Sequence, residues 1–231
     1  MELKTRLTSL LAAGLAAGAV ALTPVTAEAV VGTPVTYRCS GPVANVTNSD
    51  SRFVQSRVWV FGDSILSRCT WEFENQGFLA NGDRGAFWAD SGAYSRDGLA
   101  FLSGLKQRVG SYQPRVIIWQ LGTNDTKEYM GEVHVVNDLR AVKNLFPGSL
   151  IIWVNTYRGG AQQAVCNYLN NYVTANTGGV AVTSNWSDYA GSHASIVFSA
   201  TDQVHPTYNY TAPAANGGQQ YTNRLLTYMY R

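Results

Sequence analysis

The sequence predicts an α/β fold in three layers: a mostly parallel, five-stranded sheet of flavodoxin-like topology between two layers of helices. Three observations predict it. Short apolar runs at Arg57–Phe61, Arg115–Leu121 and Leu150–Val154 read as buried strands. The segments between them carry apolar residues at helical spacing. The two kinds of segment alternate along the chain, as in a parallel sheet with helices on both faces. Right-handed crossovers then bring every strand's carboxyl end to one edge.

Each element has its own justification. Val30 to Gln55 is polar and turn-rich and reads as an irregular arm or edge strand. After the first strand, Ile65 to Phe73 is a short helix candidate, and Gln76 to Arg84 is turn-rich around Gly77 and Asn81-Gly82. Gly85 to Asp90 reads as a weak strand. Leu99, Leu102, Leu105 and Val109 mark a helix over Arg96–Val109. Val136, Leu139, Val142 and Leu145 mark another over Val133–Phe146, which Pro147-Gly148 stops. Val165, Leu169 and Val173 form a stripe on a helix over Ala161–Thr174, ended by Gly178-Gly179. Val180 to Thr183 is a short strand, and Gln219 to Tyr230 a last helix.

The first residues predict export. Lys4 and Arg6 precede an uncharged, Ala/Leu/Gly-rich run from Leu7 to Leu22, and Ala27-Glu28-Ala29 fits a cleavage site. The expected organisation is a signal peptide over 1–29, an arm over 30–56 and one domain over 57–231. The apolar run is short for a membrane anchor, and no later segment is long and apolar enough to span a bilayer. A secreted protein without membrane contact after signal removal is therefore expected. The net charge of +2 carries no Lys/Arg cluster, which excludes a nucleic-acid face. A monomer is expected. The Tyr, Trp, Asn and Thr content suits a secreted protein and a surface that stacks on sugars.

The sequence holds 3 cysteines, Cys39, Cys69 and Cys166, with no metal-ligand spacing. In an oxidising compartment the natural count is one disulfide and one free thiol. Any of the three pairings satisfies that count. The pairing expected here is Cys39 with Cys69, which ties the arm beside the first strand.

The strand ends carry the chemistry. The first strand ends in Gly62-Asp63-Ser64, the second runs into Ser91-Gly92, and the third ends in Gly122-Thr123-Asn124-Asp125. Before the last helix lies Asp202-Gln203-Val204-His205. Together they supply a nucleophile, a base, an orienter for the base and oxyanion donors, the set that acyl transfer requires. A serine hydroxyl attacks poorly until an imidazole takes its proton. Of the 3 histidines, His134 falls on a helix and His193 in a Gly/Ser/Ala loop, whereas His205 follows Asp202 by one turn. The bland alternatives are a capping serine, an Asx-turn asparagine and a solvated histidine.

These blocks resemble those of the SGNH/GDSL hydrolases from about Arg57 onward. The fourth residue of the first block is Ile65 rather than leucine. The resemblance implies the SGNH hydrolase fold, with Ser64 as nucleophile, His205 as base and Asp202 as its partner. It also implies an oxyanion hole of Ser64 N–H, Gly92 N–H and the Asn124 amide, with no metal or cofactor. Gly98 lies close enough to Gly92 to compete for the glycine role. A narrower likeness links Val154-Asn155-Thr156-Tyr157-Arg158, the Cys166-Asn167 region and Ser184-Asn185-Trp186 to the hydrolase-like domains of bacterial peptidoglycan O-acetyltransferases. Those domains usually carry an acidic residue where this chain has Asn185. The expected activity is hydrolysis of short acyl esters, acetyl above all, on a small molecule or a glycan. The alternatives are a glycan O-acetyltransferase with the same residues and a non-catalytic glycan-binding module.

Overall fold

The computed structural model describes residues 45–79, 82–199, 201–207 and 217–229. The expected signal peptide at 1–29 and Cys39 lie outside the described residues. All described residues belong to one compact unit, Val31–Arg231.

Among the described residues the sheet has 6 strands in the order β1-β3-β2-β4-β5-β6. They are β1 (Val46–Thr47), β2 (Val58–Gly62), β3 (Gly85–Ala89), β4 (Val116–Gln120), β5 (Leu150–Val154) and β6 (Val182–Ser184). The last five are parallel, and their order is the doubly wound one expected. The count of five strands is corrected by β1, which pairs antiparallel with β3 through Val46↔Ala89 and Thr47↔Trp88. Two residues of pairing are too few to leave an alternation pattern in the arm.

Side-chain alternation along the strands sorts the two helical layers. Trp59 and Phe61 of β2, Ile117 and Trp119 of β4, and Ile151 and Trp153 of β5 point to one face. There they pack against α1 (Asp50–Gln55), α3 (Ser95–Val109), α4 (Gly131–Leu145) and α5 (Gln163–Asn176). Val58, Val60, Val116, Ile118, Ile152 and Val154 point to the other face. They meet α2 (Ser64–Trp71), α6 (Trp186–Ser192), α7 (Ala194–Val197) and α8 (Gly217–Met229). One wall of the sheet is thus aromatic and the other β-branched.

Three differences from the sequence reading have local causes. The arm contains α1, whose Ser49 side chain caps Arg52 N–H and whose Phe53 is buried edge-on against Trp59. While the turn itself falls at Gly82, the start of the turn-rich stretch instead belongs to a π-helical segment, Glu72–Phe78. Phe73 and Phe78 hold it by burial against Tyr221 and Phe87. The Gly/Ser/Ala loop near His193 is the junction of α6 and α7. Among the described residues, no helix is long and apolar enough to cross a membrane.

Candidate active site

The site begins at the end of β2. Gly62 is required there, because a Cβ would collide with Leu66 and with the Gln120 side chain. Asp63 follows as the N-cap of α2, accepting Ile65 N–H at 2.9 Å. Ser64 is therefore the first residue of a helix, and its N–H has no carbonyl in its own helix to bond. The dipole of α2 adds positive potential at that point.

Beneath this turn lies a buried polar cluster. Gln120, the last residue of β4, donates to Asp63 Oδ1 at 3.1 Å, and its Oε1 accepts Leu66 N–H at 3.2 Å. Burial pushes the Asp63 carboxyl up from its ordinary value, against the lowering effect of these hydrogen bonds. The Tyr221 hydroxyl is raised further, by burial and by the nearby Asp63 charge.

His205 arrives from the far end of the chain. Ser64 Oγ lies 2.9 Å from His205 Nε2. His205 Nδ1 lies 2.9 Å from Asp202 Oδ2 and 3.2 Å from Oδ1. With Nδ1–H donating to the carboxylate, Nε2 is left to accept from the serine hydroxyl. Asp202 Oδ1 also accepts Val204 N–H and His205 N–H, at 3.1 and 3.2 Å. Asp202 thus shapes the loop that presents its own partner. Burial raises the Asp202 carboxyl, but the hydrogen bonds from the His205 ring and from the His205 and Val204 N–H groups together outweigh it, and the pKa lies below the ordinary carboxylate value. Arg68 Nη1, 3.8 Å from Asp202 Oδ2, lends charge from α2.

The loop has two anchors. Thr207 N–H donates to Val197 O at 2.8 Å, and Gly159 N–H donates to Gln203 O at 3.1 Å. Gly159 fits close against Gln203, where a Cβ would strike the side chain. Gln120, Arg68 and Gly159 were not singled out from sequence. A polar residue ending a buried strand was the one signal for Gln120.

The other expected residues lie on the flanking strands. The register Gly62↔Ala89 and Gly62↔Gln120 sets the ends of β3, β2 and β4 side by side. Gly92 follows β3 in an exposed turn with φ of +83°, which favours glycine. Gly98 lies inside α3 against Leu121 and Trp119, a packing glycine, so the two separate by environment. Asn124 is buried and donates to Ala93 O at 3.0 Å, which ties its loop to the one bearing Gly92. Its Oδ1 accepts from Lys127 Nζ at 3.1 Å. Asp125, next in the chain, turns inward and accepts Ser95 N–H at 3.0 Å. Burial pushes the Asp125 carboxyl up to about 7, with Asp138 and Glu128 adding to the rise.

The remaining histidines stand apart from this cluster. His134 lies on α4, 3.8 Å from Glu128, and His193 stacks on Tyr189 at the end of α6. Cys166 is a buried free thiol whose pKa burial raises. The expected Cys39–Cys69 pair includes a residue outside those described. Among the described residues, no group of three or more His, Cys, Asp or Glu could hold a metal ion.

Neither a protein-family model nor a curated protein matches the sequence. Solved structures do. The C-terminal catalytic domain of peptidoglycan O-acetyltransferase A from Streptococcus pneumoniae superposes with a TM-score of 0.59 at 19% identity, covering 74% of this chain and 90% of that one. A member of the lipolytic G-D-S-L family from Veillonella parvula gives 0.55 at 17%, covering 75% and 98%. A lipase from a goat rumen metagenome gives 0.53 at 13%, covering 74% and 97%. The parallel sheet, its strand order and these superpositions agree: the chain has the fold of the SGNH/GDSL hydrolases.

Proposed function

We propose that the chain is a secreted serine esterase of the SGNH/GDSL type that removes short acyl groups, acetyl above all, from a carbohydrate or cell-wall glycan. The observation that carries this reading is the continuous chain from Ser64 Oγ to His205 to Asp202. Ser64 Oγ attacks the ester carbonyl while His205 Nε2 takes its proton. The oxyanion is received by Ser64 N–H, Gly92 N–H and the Asn124 amide, and losing one such donor typically costs ~10²–10³ in rate. His205 then returns the proton to the leaving alcohol, giving an acyl-serine. A water molecule, deprotonated by His205, attacks that ester, and collapse releases the acid and restores Ser64. No metal or cofactor takes part.

The acyl preference follows from the loops at the strand ends, which carry Gly, Asn, Thr, Tyr and Ser rather than runs of Leu and Phe. A long chain needs apolar area to bury, at ~0.8 kcal/mol per methylene. Residues 1–29 act as the export signal, and Cys39 pairs with Cys69 in the mature protein. A second reading, transfer of acetyl to a glycan hydroxyl, is favoured by the likeness to the O-acetyltransferase domain. The test is kcat/KM for acetyl, butyryl, octanoyl and palmitoyl esters of one alcohol, with acetylated glycan as a parallel substrate. A fall beyond butyryl is expected, and a steady rise to palmitoyl overturns the reading. Acetyl appearing on an acceptor sugar rather than in water favours the transferase.

A further inference from the structure

Two strands away from the nucleophile, the same edge of the sheet opens into a cavity of about 640 Å³ that contains none of the catalytic residues. Its floor is the ends of β5 and β6, Asn155 and Ser184, and its walls are α5 and the start of α6. Apart from Ala175, the lining is made of amides and hydroxyls, with Asp188 as its charged member. Asn167, Asn171 and Thr174 fall at i, i+4 and i+7 and form one polar stripe of α5 facing it.

A polar helix face alone is ordinary solvated surface. The floor is not ordinary. Asn155 is only 8% exposed, and its Oδ1 is fixed by Ser187 N–H at 2.8 Å. That bond leaves both amide hydrogens without a described protein acceptor at the cavity. The Ser184 hydroxyl beneath it also lacks a hydrogen-bond partner but is buried too deeply for a ligand to reach, which leaves the Asn155 amide as the group a ligand would meet. Buried polar groups left unpaired are costly, and a ligand rich in hydroxyls relieves that cost.

We propose that this cavity is a saccharide subsite that binds a neutral sugar unit of the glycan whose esterified unit lies at Ser64. The proposal rests on the esterase reading above and names how its substrate is held. Its volume falls within the usual range for a small-ligand pocket. Two strand spacings, roughly 10 Å, separate the ends of β2 and β5, a span that one or two sugar rings bridge. Asn and Thr supply paired donors and acceptors for vicinal hydroxyls, and Asp188 disfavours acidic sugars. Asn155 also begins the loop that ends at Gly159 on Gln203, so a sugar in the cavity rests on the segment that braces the base.

The test combines binding and turnover. Wild type, Asn155→Ala and Asn171→Leu are titrated calorimetrically with xylotriose and with chitotriose. The same proteins are assayed on an acetylated oligosaccharide and on 4-nitrophenyl acetate. One trisaccharide is expected to bind wild type, with affinity reduced roughly tenfold in each variant. KM for the glycan ester should rise in step, while turnover of the chromogenic acetate by Asn171→Leu stays within twofold. Asn171 is exposed and holds no described partner, so its variant tests the cavity even if Asn155→Ala fails to fold. Wild type binding neither sugar, or Asn171→Leu binding as well as wild type, overturns the proposal. Sugar binding that the variants weaken, in a protein that releases no acetyl from glycan, overturns the esterase reading and leaves the subsite standing.

Discussion

Gln120 holds the turn of Asp63 with both ends of one amide: its nitrogen donates to Asp63 Oδ1 at 3.1 Å, and its oxygen accepts the N–H groups of Asp63 and Leu66 at 3.4 and 3.2 Å. The amide pins the backbone on both sides of Ser64 and neutralises part of the cost of burying the carboxyl. Gln120→Leu preserves volume and removes every one of these bonds. Its expected cost is about 2–4 kcal/mol of stability, because Asp63 stays buried with fewer partners. The kcat for ester hydrolysis should fall at least tenfold while KM for a small ester changes little. Urea unfolding beside steady-state kinetics checks both, and an unchanged kcat would show that the clamp does not position Ser64.

Ser64→Ala should leave the fold intact and remove ester hydrolysis. The serine side chain contributes one hydroxyl, bonded to His205. Activity above a tenth of wild type in the purified, folded variant would sink the nucleophile assignment.

His205→Ala is expected to match the loss of the serine, since His134 and His193 are engaged elsewhere. Asp202→Asn should cost less, between tenfold and ~10⁴ in kcat. Its remaining side-chain oxygen still accepts the N–H groups of Val204 and His205, which keep the loop shaped. Full activity in His205→Ala with loss in His193→Ala reverses the choice of base.

Asp125 predicts a pH slope in stability. Its folded pKa, about 7, lies above the unfolded value of 3.8, so the native state holds a proton that the unfolded chain releases. Stability from this group is present below the unfolded pKa and is lost as pH rises towards 7. The amount is on the order of 2–4 kcal/mol. Asp125→Asn keeps an acceptor for Ser95 N–H and removes the charge, so it should flatten the slope and be the more stable protein at pH 8. Unfolding free energies at pH 4.5, 6 and 8 decide it, and parallel slopes for the two proteins refute the assignment.

Thiol chemistry gives the last prediction. Buried Cys166 should resist alkylation until the protein unfolds, and non-reducing peptide mapping should link Cys39 to Cys69. Closing that loop contributes ~3.7 kcal/mol in the chain-entropy model. A linked Cys166 peptide would show the wrong pairing.

The sheet was legible because runs such as Val116–Gln120 are buried on both faces and carry no competing helical period. Ser64, Asp202 and His205 were legible because strand ends and loop turns have local chemistry. What escaped depends on contacts distant in sequence. The π-helical stretch owes its order to Phe73 and Phe78 meeting Tyr221 and Phe87. The edge strand β1 exists only against β3. The amide clamp joins residues 57 positions apart. The burial of Asn155 likewise depends on β5, β6 and α5 closing around it.

Ser64 and His205 are 141 positions apart, and the loop bearing His205 hangs from Val197 and Gly159. Most of the sheet can therefore assemble, during synthesis or refolding, around a serine that has no base. On the proposed reading, ester hydrolysis requires the late segment that carries His205 to dock beside Ser64. A truncated product that ends before Asp202 is expected to be inert however well its aromatic layer is formed.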